Sequence, residues 1–328
     1  MPGSKPPKAA GPPFNRPNGD IILRSSDETP TDFRVFKFLL SIASPFFATA
    51  FTLPQPDGDD ETPVMEMDED THTLELVLGL CFPVTMHGLP RLESLRDLRL
   101  VMETAVKFDM DGIQQYVRTV LVEPRFIETQ PLRVFAIACR YGWTEEAQGA
   151  AWYTLRYPAD DPLVDELELI SAGMYHRLLR YRQECGKIAA SEVAALAEWN
   201  PNSAWLWDEC WECLVAGSRG KEEGTCAGPR AWWLGWMQSV SDALRDRPWG
   251  ETANKGDLFE APCVQEVKIC DECDKEIMSQ LGDYIHVLAG KVNKKIAKVS
   301  CTGPNMASAS VPTLTCDDFD ELLYGSAR

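Results

Sequence analysis

The segment 33–51, FRVFKFLLSIASPFFATAF, restricts the fold more than any other stretch of this chain. Phe33 and Val35 alternate with charged residues, which predicts a short strand. The apolar run at 39–43 (LLSIA) is too dense for a surface helix and predicts a buried one. Ser44, followed by proline, predicts the N-cap and first position of a second helix. Such a segment is not stable alone, so the rest of the chain must cover it.

The same positions resemble the signature of the BTB/POZ family. The matching residues occur in the family's register and are Phe33, Val35, Lys37, Leu39, Leu40, Ser44, Phe47 and Phe51. Phe36 stands where the family has histidine, which puts the polar contact of that histidine in doubt. Gly19–Leu23 looks like the strand entry of the family. The resemblance covers residues 18–122, with a weaker helical extension to about 157. It implies an α+β domain with a small sheet flanked by a helical cluster.

Patterns beyond this segment predict the other elements of the first half. Residues 20–24 and 33–37 read as a hairpin, and 64–67 as an edge strand guarded by acidic neighbours. A helix is predicted over 71–81. Four further helix starts are predicted. The first is a capping box of Ser94 with Asp97, and the second is a cap of Asp111 with Gln114. The third helix begins at Pro131 and the fourth at Thr144.

Charge and cysteine content limit the classes of partner and compartment. The 328 residues carry a net charge of −18, which repels nucleic acids and anionic membranes. No apolar run approaches the ~20 residues that span a bilayer. Residues 1–17 are Pro/Gly-rich without an apolar core, so we expect a flexible arm and no signal peptide. Eleven cysteines, an odd number, favour an intracellular protein with reduced thiols.

The distribution of cysteine and tryptophan predicts a domain boundary near 158–162. Nine of eleven cysteines lie from Cys185 onward, and eight of ten tryptophans lie between Trp199 and Trp249. The predicted parts are an arm (1–17), a BTB/POZ-like domain (18–122), a helical extension (123–160), a mainly α-helical Cys/Trp-rich domain (161–300) and a flexible tail (301–328). Within the fourth part, the 3.6-residue pattern predicts helices over 161–184, 188–199, 231–245 and 276–299. The same pattern predicts inward-facing positions in both halves of the chain, among them Leu98, Val117, Leu163, Trp236, Leu244 and Leu288.

Two C-x-x-C pairs in the second half are candidate metal ligands. They are Cys210 with Cys213 and Cys270 with Cys273, with Cys185 and Cys263 in reserve. Four thiolates can close a tetrahedral structural zinc site. Cysteines at i and i+3 of a helix also share a face, so ordinary buried thiols and a redox-active dithiol remain alternatives. The nearby Trp205, Trp207 and Trp211 suit a core better than a recognition groove.

Nothing in the chain predicts catalysis. The four histidines lie in no metal-binding or triad motif, and the chain has no P-loop, G-x-G-x-x-G or G-x-S-x-G. We therefore expect an interaction or scaffold protein and no enzyme. The resemblance implies a homodimer formed through the first strand and early helices, in a layout similar to fungal BTB/POZ proteins without MATH, Kelch or DNA-binding finger. One alternative is a substrate adaptor that binds a cullin-type ubiquitin ligase, although LPQPDGDDE after residue 52 lacks the adaptor motif. A metal- or redox-dependent enzyme that uses the cysteine pairs is the third and least favoured alternative.

Overall fold

The computed structural model describes residues 6–53, 62–83, 85, 88–158, 163–197, 229–259 and 271–299. The chain divides into two compact units, Met1–Gln130 and Pro131–Arg328. The described residues are mixed α+β and mostly helical, with one small sheet in the first unit. The predicted α+β class is therefore confirmed at this coarse level. The helices at 131–154, which the resemblance assigns to an extension, belong to the second unit.

The sheet of the first unit has four short strands in the order β1-β3-β2-β4. Its strands are Lys8–Ala9 (β1), Ile21–Arg24 (β2), Thr31–Val35 (β3) and Val64–Glu66 (β4). The predicted hairpin is β2–β3, whose antiparallel register pairs Ile21 with Val35 and Leu23 with Phe33. Opposite residues share a face of an antiparallel pair, and all four of these side chains are buried. β4 runs parallel to β2 at one edge, as the sequence predicted.

The described residues before β2 pack onto the first unit, where the sequence predicts a flexible arm. β1 pairs in parallel with β3, which places it at the other edge of the sheet. Phe14 is only 2% exposed, and its ring lies 5.6 Å from that of Phe33 and 5.2 Å from that of Phe82. Burial of a phenylalanine contributes about 2 kcal/mol toward the entropy cost of ordering this segment, which is about 1 to 2 kcal/mol for each ordered residue.

Helices surround the sheet of the first unit. Their bounds are Lys37–Ala43 (α1), Pro45–Ala50 (α2), Thr71–Cys81 (α3), Leu95–Lys107 (α4), Asp111–Leu121 (α5) and Pro124–Ile127 (α6). The predicted start of α2 at Ser44 and the capping box of Ser94 with Asp97 are both confirmed. The predicted cap of α5 is wrong. Met110 occupies the N-cap without a side-chain hydrogen bond, and Gln114 instead donates to the carbonyl of Ala105 at 3.2 Å.

The described part of the second unit is helical. Its α-helices are Pro131–Arg140 (α7), Thr144–Thr154 (α8), Ala172–Ala197 (α9), Pro229–Asp246 (α10), Gly256–Phe259 (α11) and Asp271–Ile296 (α12), with 3₁₀ turns at Asp165–Leu169 and Gly250–Asn254. Apolar positions predicted to face inward on α10 and α12 are buried, among them Trp236, Leu244 and Leu288. None of the helices in the described ranges is apolar enough over sufficient length to cross a membrane.

The predicted division of 161–199 into two helices is wrong. One continuous helix, α9, runs from Ala172 to Ala197, and Leu163, predicted to face inward, is 81% exposed. Gly186 lies inside this helix, although glycine weakens a helix in isolation. Here Gly186 lies against the backbone of α10, where a side chain would meet the carbonyl oxygen of Arg245 at 2.6 Å. The glycine therefore permits close helix packing without ending the helix.

Candidate interaction surface

Helix α1 buries one side and exposes apolar side chains on another. Leu40 is fully buried, whereas Phe38 is 71% exposed and Ile42 is 69% exposed. Positions i and i+4 of a helix share a face, so these two side chains are neighbours. We call this pair the α1 face. The prediction that the whole run at 39–43 is buried is therefore wrong, because a seven-residue helix presents only one side to the core.

A side chain from outside α1 caps its first turn. Phe36 occupies the N-cap position and makes no capping hydrogen bond. The carboxylate of Asp20, just before β2, instead accepts a hydrogen bond from the backbone N–H of Lys37 at 2.7 Å. The ring of Phe36 lies 6.4 Å from that of Phe82, in an aromatic setting. Sequence reasoning noted the strand entry at Asp20 but missed its capping role, which depends on the hairpin.

Ser44 holds α2 against the end of α4. Its side chain is fully buried, and its hydroxyl accepts a hydrogen bond from the N–H of Phe47 at 3.1 Å. The same hydroxyl donates to the carbonyl of Phe108 at 2.5 Å. The rings of Phe47 and Phe108 lie 4.9 Å apart. The α1–α2 pair is thus fixed on the core by a polar anchor within an aromatic cluster, which holds the α1 face in one orientation.

The electrostatic setting of the α1 face differs from that of the chain as a whole. Residues 37–50 contain one charged side chain, Lys37, in a protein with a net charge of −18. Charges of one sign repel over roughly 8 Å at physiological ionic strength. Two copies of this acidic protein therefore meet less repulsion at the α1 face than at its acidic surfaces.

The predicted metal ligands lie almost entirely outside the described residues. Cys210, Cys213, Cys263 and Cys270 fall there, as do Trp205, Trp207 and Trp211, and Cys273 belongs to α12 with its side chain not described. Cys185 is fully buried on α9. Within the described ranges, no three His, Cys, Asp or Glu side chains converge on a point that could hold a metal ion. The zinc site remains a prediction.

Among the described histidines, His72 lies next to a carboxylate, that of Asp97, in an arrangement that resembles an acid–base pair. Nε2 of His72 lies 3.0 Å from Oδ1 of Asp97, and the imidazole is 57% exposed. Burial acts to raise the pKa of Asp97, but hydrogen bonds from His72 and Ser94 outweigh it and lower that pKa. Asp97 also completes the capping box of α4, so its position is set by helix capping, and its contact with the exposed imidazole of His72 is a surface ion pair.

No protein-family model matches the chain, and no curated protein matches it.

Proposed function

We propose that this chain is a protein–protein interaction protein that self-associates through the α1 face of a BTB/POZ-like first unit. The observation that carries the proposal is the pair Phe38 and Ile42, exposed side by side on a helix that is anchored at both ends. Burying each such side chain is worth about 2 kcal/mol. A two-fold axis through this face would bury the pair twice and double the gain.

The order of elements supports the BTB/POZ part of the proposal. A hairpin, a helix pair, a third strand and further helices follow one another, as the sequence resemblance implies. The third of these strands, Val64–Glu66, pairs in parallel with the first strand of the hairpin. The substitution of Phe36 for the family's histidine leaves this layout intact, since Asp20 supplies the cap of α1.

A second copy suits the α1 face better than a charged partner does. The face carries no acidic side chain, and an acidic surface would lose hydration on contact with it without gaining an ion pair. In a dimer, each copy would contact the other through the same apolar pair, Phe38 and Ile42, on the same helix. In this proposal the helical second unit presents a separate surface to partner proteins of a different kind.

The test is the oligomeric state of the full chain. In sedimentation velocity at micromolar concentration we expect the parent to be a dimer and the double variant Phe38→Glu/Ile42→Glu to be a monomer. Val106→Glu is the matched control, because Val106 lies on α4 and is 50% exposed. It should remain dimeric. A monomeric parent, or a dimer that survives the double substitution with unchanged affinity, would exclude the α1 face as the interface.

The cullin-adaptor alternative has no described observation in its favour. The segment in which such adaptors carry their motif overlaps residues 54–61, which lie outside the described residues. A dimer would be compatible with either function, so cullin binding must be measured separately. Absence of binding to purified cullins at micromolar concentration would remove the alternative, whereas stoichiometric binding would replace the scaffold proposal with it.

A further inference from the structure

Three helices of the second unit line a small cavity that is partly open to solvent. Helices α7, α8 and α9 each line it with residues at i, i+3 and i+4, so each helix turns one face toward it. The volume is about 80 Å³. The turn that joins α7 to α8 closes one side with Trp143, after Gly142 reverses the chain at a φ of +72°. The cavity is thus a built feature of helix packing.

The walls of the cavity are mainly apolar. Phe135 and Ala138 contribute from α7, Ala147 from α8, and Met174 and Leu178 from α9. Three of these five side chains, those of Phe135, Ala138 and Leu178, are buried. Apolar walls of this kind favour a hydrocarbon over water, which would find few hydrogen-bonding partners there.

One cationic side chain, Arg177, lines the cavity. Arg177 is exposed, and it forms no hydrogen bond or ion pair with the residues that the structure describes. Among the described residues, no acidic side chain lines the cavity, and Glu145 and Glu146 of the first turn of α8 lie outside its lining. The guanidinium of Arg177 could therefore bind an anionic group at the rim of the cavity, since no described acidic side chain competes for it.

We infer that this cavity binds a small branched-chain aliphatic monocarboxylate, with its hydrocarbon between the three helices and its carboxylate on Arg177. The size limits the part of the ligand that enters the cavity to a group smaller than benzene, such as the isopropyl end of 4-methylpentanoate, because the apolar cavity known to hold benzene has a volume of about 150 Å³. The guanidinium excludes cationic ligands and favours a carboxylate, which it can bind through two parallel hydrogen bonds. This site is separate from the α1 face and independent of the proposed self-association.

The first test measures binding of 4-methylpentanoate to the full chain by isothermal titration calorimetry. We expect saturable binding to one site, and about tenfold weaker binding to Arg177→Gln, since a charged hydrogen-bonding partner is lost. Arg180→Gln is the matched control, because Arg180 is exposed on the same helix and does not line the cavity. It should bind like the parent. The neutral 4-methylpentanamide should bind the parent about tenfold more weakly and should not distinguish the two variants.

A second test locates the ligand. Ala147→Leu adds three carbon atoms to the cavity wall and should abolish binding. The thiol of Cys139 also lines the cavity, so 4-methylpentanoate should slow its reaction with a maleimide, measured peptide by peptide by mass spectrometry. Three results would overturn the inference: no saturable binding to the parent, equal weakening by Arg177→Gln and Arg180→Gln, or full binding by a folded Ala147→Leu. If Ala147→Leu does not fold, the two surface arginine variants decide alone.

Discussion

The buried hydroxyl of Ser44 donates a hydrogen bond to the carbonyl oxygen of Phe108 at 2.5 Å. These residues are 64 positions apart, yet the contact joins the start of α2 to the end of α4. The same hydroxyl accepts the N–H of Phe47, so one side chain satisfies two backbone groups that would otherwise be buried without partners. The helix pair that carries the α1 face is therefore held by a polar contact as well as by aromatic packing.

Removing this hydroxyl tests its contribution to stability. Ser44→Ala should lower the free energy of unfolding by about 2 to 3 kcal/mol, because it removes a helix cap and leaves a buried carbonyl unpaired. Ser41→Ala, three residues earlier on α1, should change it by less than about 0.5 kcal/mol. Urea denaturation followed by circular dichroism measures both. Equal stability of the two variants would show that the contact contributes nothing net.

The carboxyl of Asp27 makes stability depend on pH. Its pKa is lowered, mainly by a hydrogen bond from the hydroxyl of Thr71 at 2.5 Å, against the opposing effect of burial. A carboxyl with a lower pKa in the folded state stabilises that state above about pH 4, and the contribution is lost as pH falls through the folded pKa. We expect Thr71→Val to reduce the difference in unfolding free energy between pH 7 and pH 3.

Thr71→Ser keeps the hydroxyl and serves as the control. It should retain the pH dependence of the parent, while the carboxyl carbon resonance of Asp27 should titrate at a higher pH in Thr71→Val. A titration of Asp27 that is identical in all three proteins would contradict the assigned cause.

Arg182 connects the ends of two helices in the second unit. It is only 7% exposed and donates to the carbonyls of Thr154, of Tyr157 at 2.6 Å and of Asp246 at 3.4 Å. These carbonyls lie at or just beyond the C-termini of α8 and α10, where a cation is favoured by the helix dipoles. Arg182→Met should therefore lower the free energy of unfolding by about 3 kcal/mol.

Two other variants separate charge from geometry at this position. Arg182→Lys keeps the charge but cannot reach three carbonyls, so its loss should be intermediate. Arg180→Gln, exposed on the same helix, should change stability by less than about 0.5 kcal/mol. Thermal denaturation of the full chain compares them, and full stability of Arg182→Met would disprove the connecting role.

Two glycines in helices of the second unit should respond oppositely to alanine. A Cβ on Gly186 would lie 2.6 Å from the carbonyl oxygen of Arg245, whereas one on Gly290 meets no described atom within 4 Å. Gly290→Ala should stabilise by about 0.5 to 1 kcal/mol through helix propensity. Gly186→Ala should destabilise by about 1 to 3 kcal/mol because α9 and α10 are forced apart. Stabilisation by both would show that the two helices are not in close contact.

The zinc hypothesis predicts one zinc per chain in the purified parent and none in Cys270→Ser. Inductively coupled plasma mass spectrometry measures the metal, and circular dichroism measures folding of the same samples. Cys185→Ser tests the reserve ligand. A parent that is metal-free and a Cys270→Ser variant that is equally well folded would indicate ordinary thiols, while a reversible disulfide between paired cysteines would indicate redox chemistry.

Local patterns predicted the local structure well. The capping box of Ser94 and Asp97 and the proline start of α2 were confirmed, because each depends on residues within one helical turn. The burial of Leu98, Val117 and Leu244 was confirmed, because a 3.6-residue repeat defines a face without knowledge of what covers it. The predicted cap of Asp111 with Gln114 was wrong because the side chain of Gln114 donates a hydrogen bond to the carbonyl of Ala105, nine residues earlier.

The sequence by itself determined the elements from β2 to α5, their order and many of the buried faces, but neither β1 nor the continuity of α9. Only the tertiary structure decided that α1 leaves Phe38 and Ile42 exposed, that Asp20 caps it, and that Gly186 is a contact point inside one long helix. It also decided that Arg177 lines a cavity made by three helices. The physical reason is that propensity and periodicity act over a few residues. Coverage of a face, capping from another element and cavities arise from segments that meet only when the chain is folded.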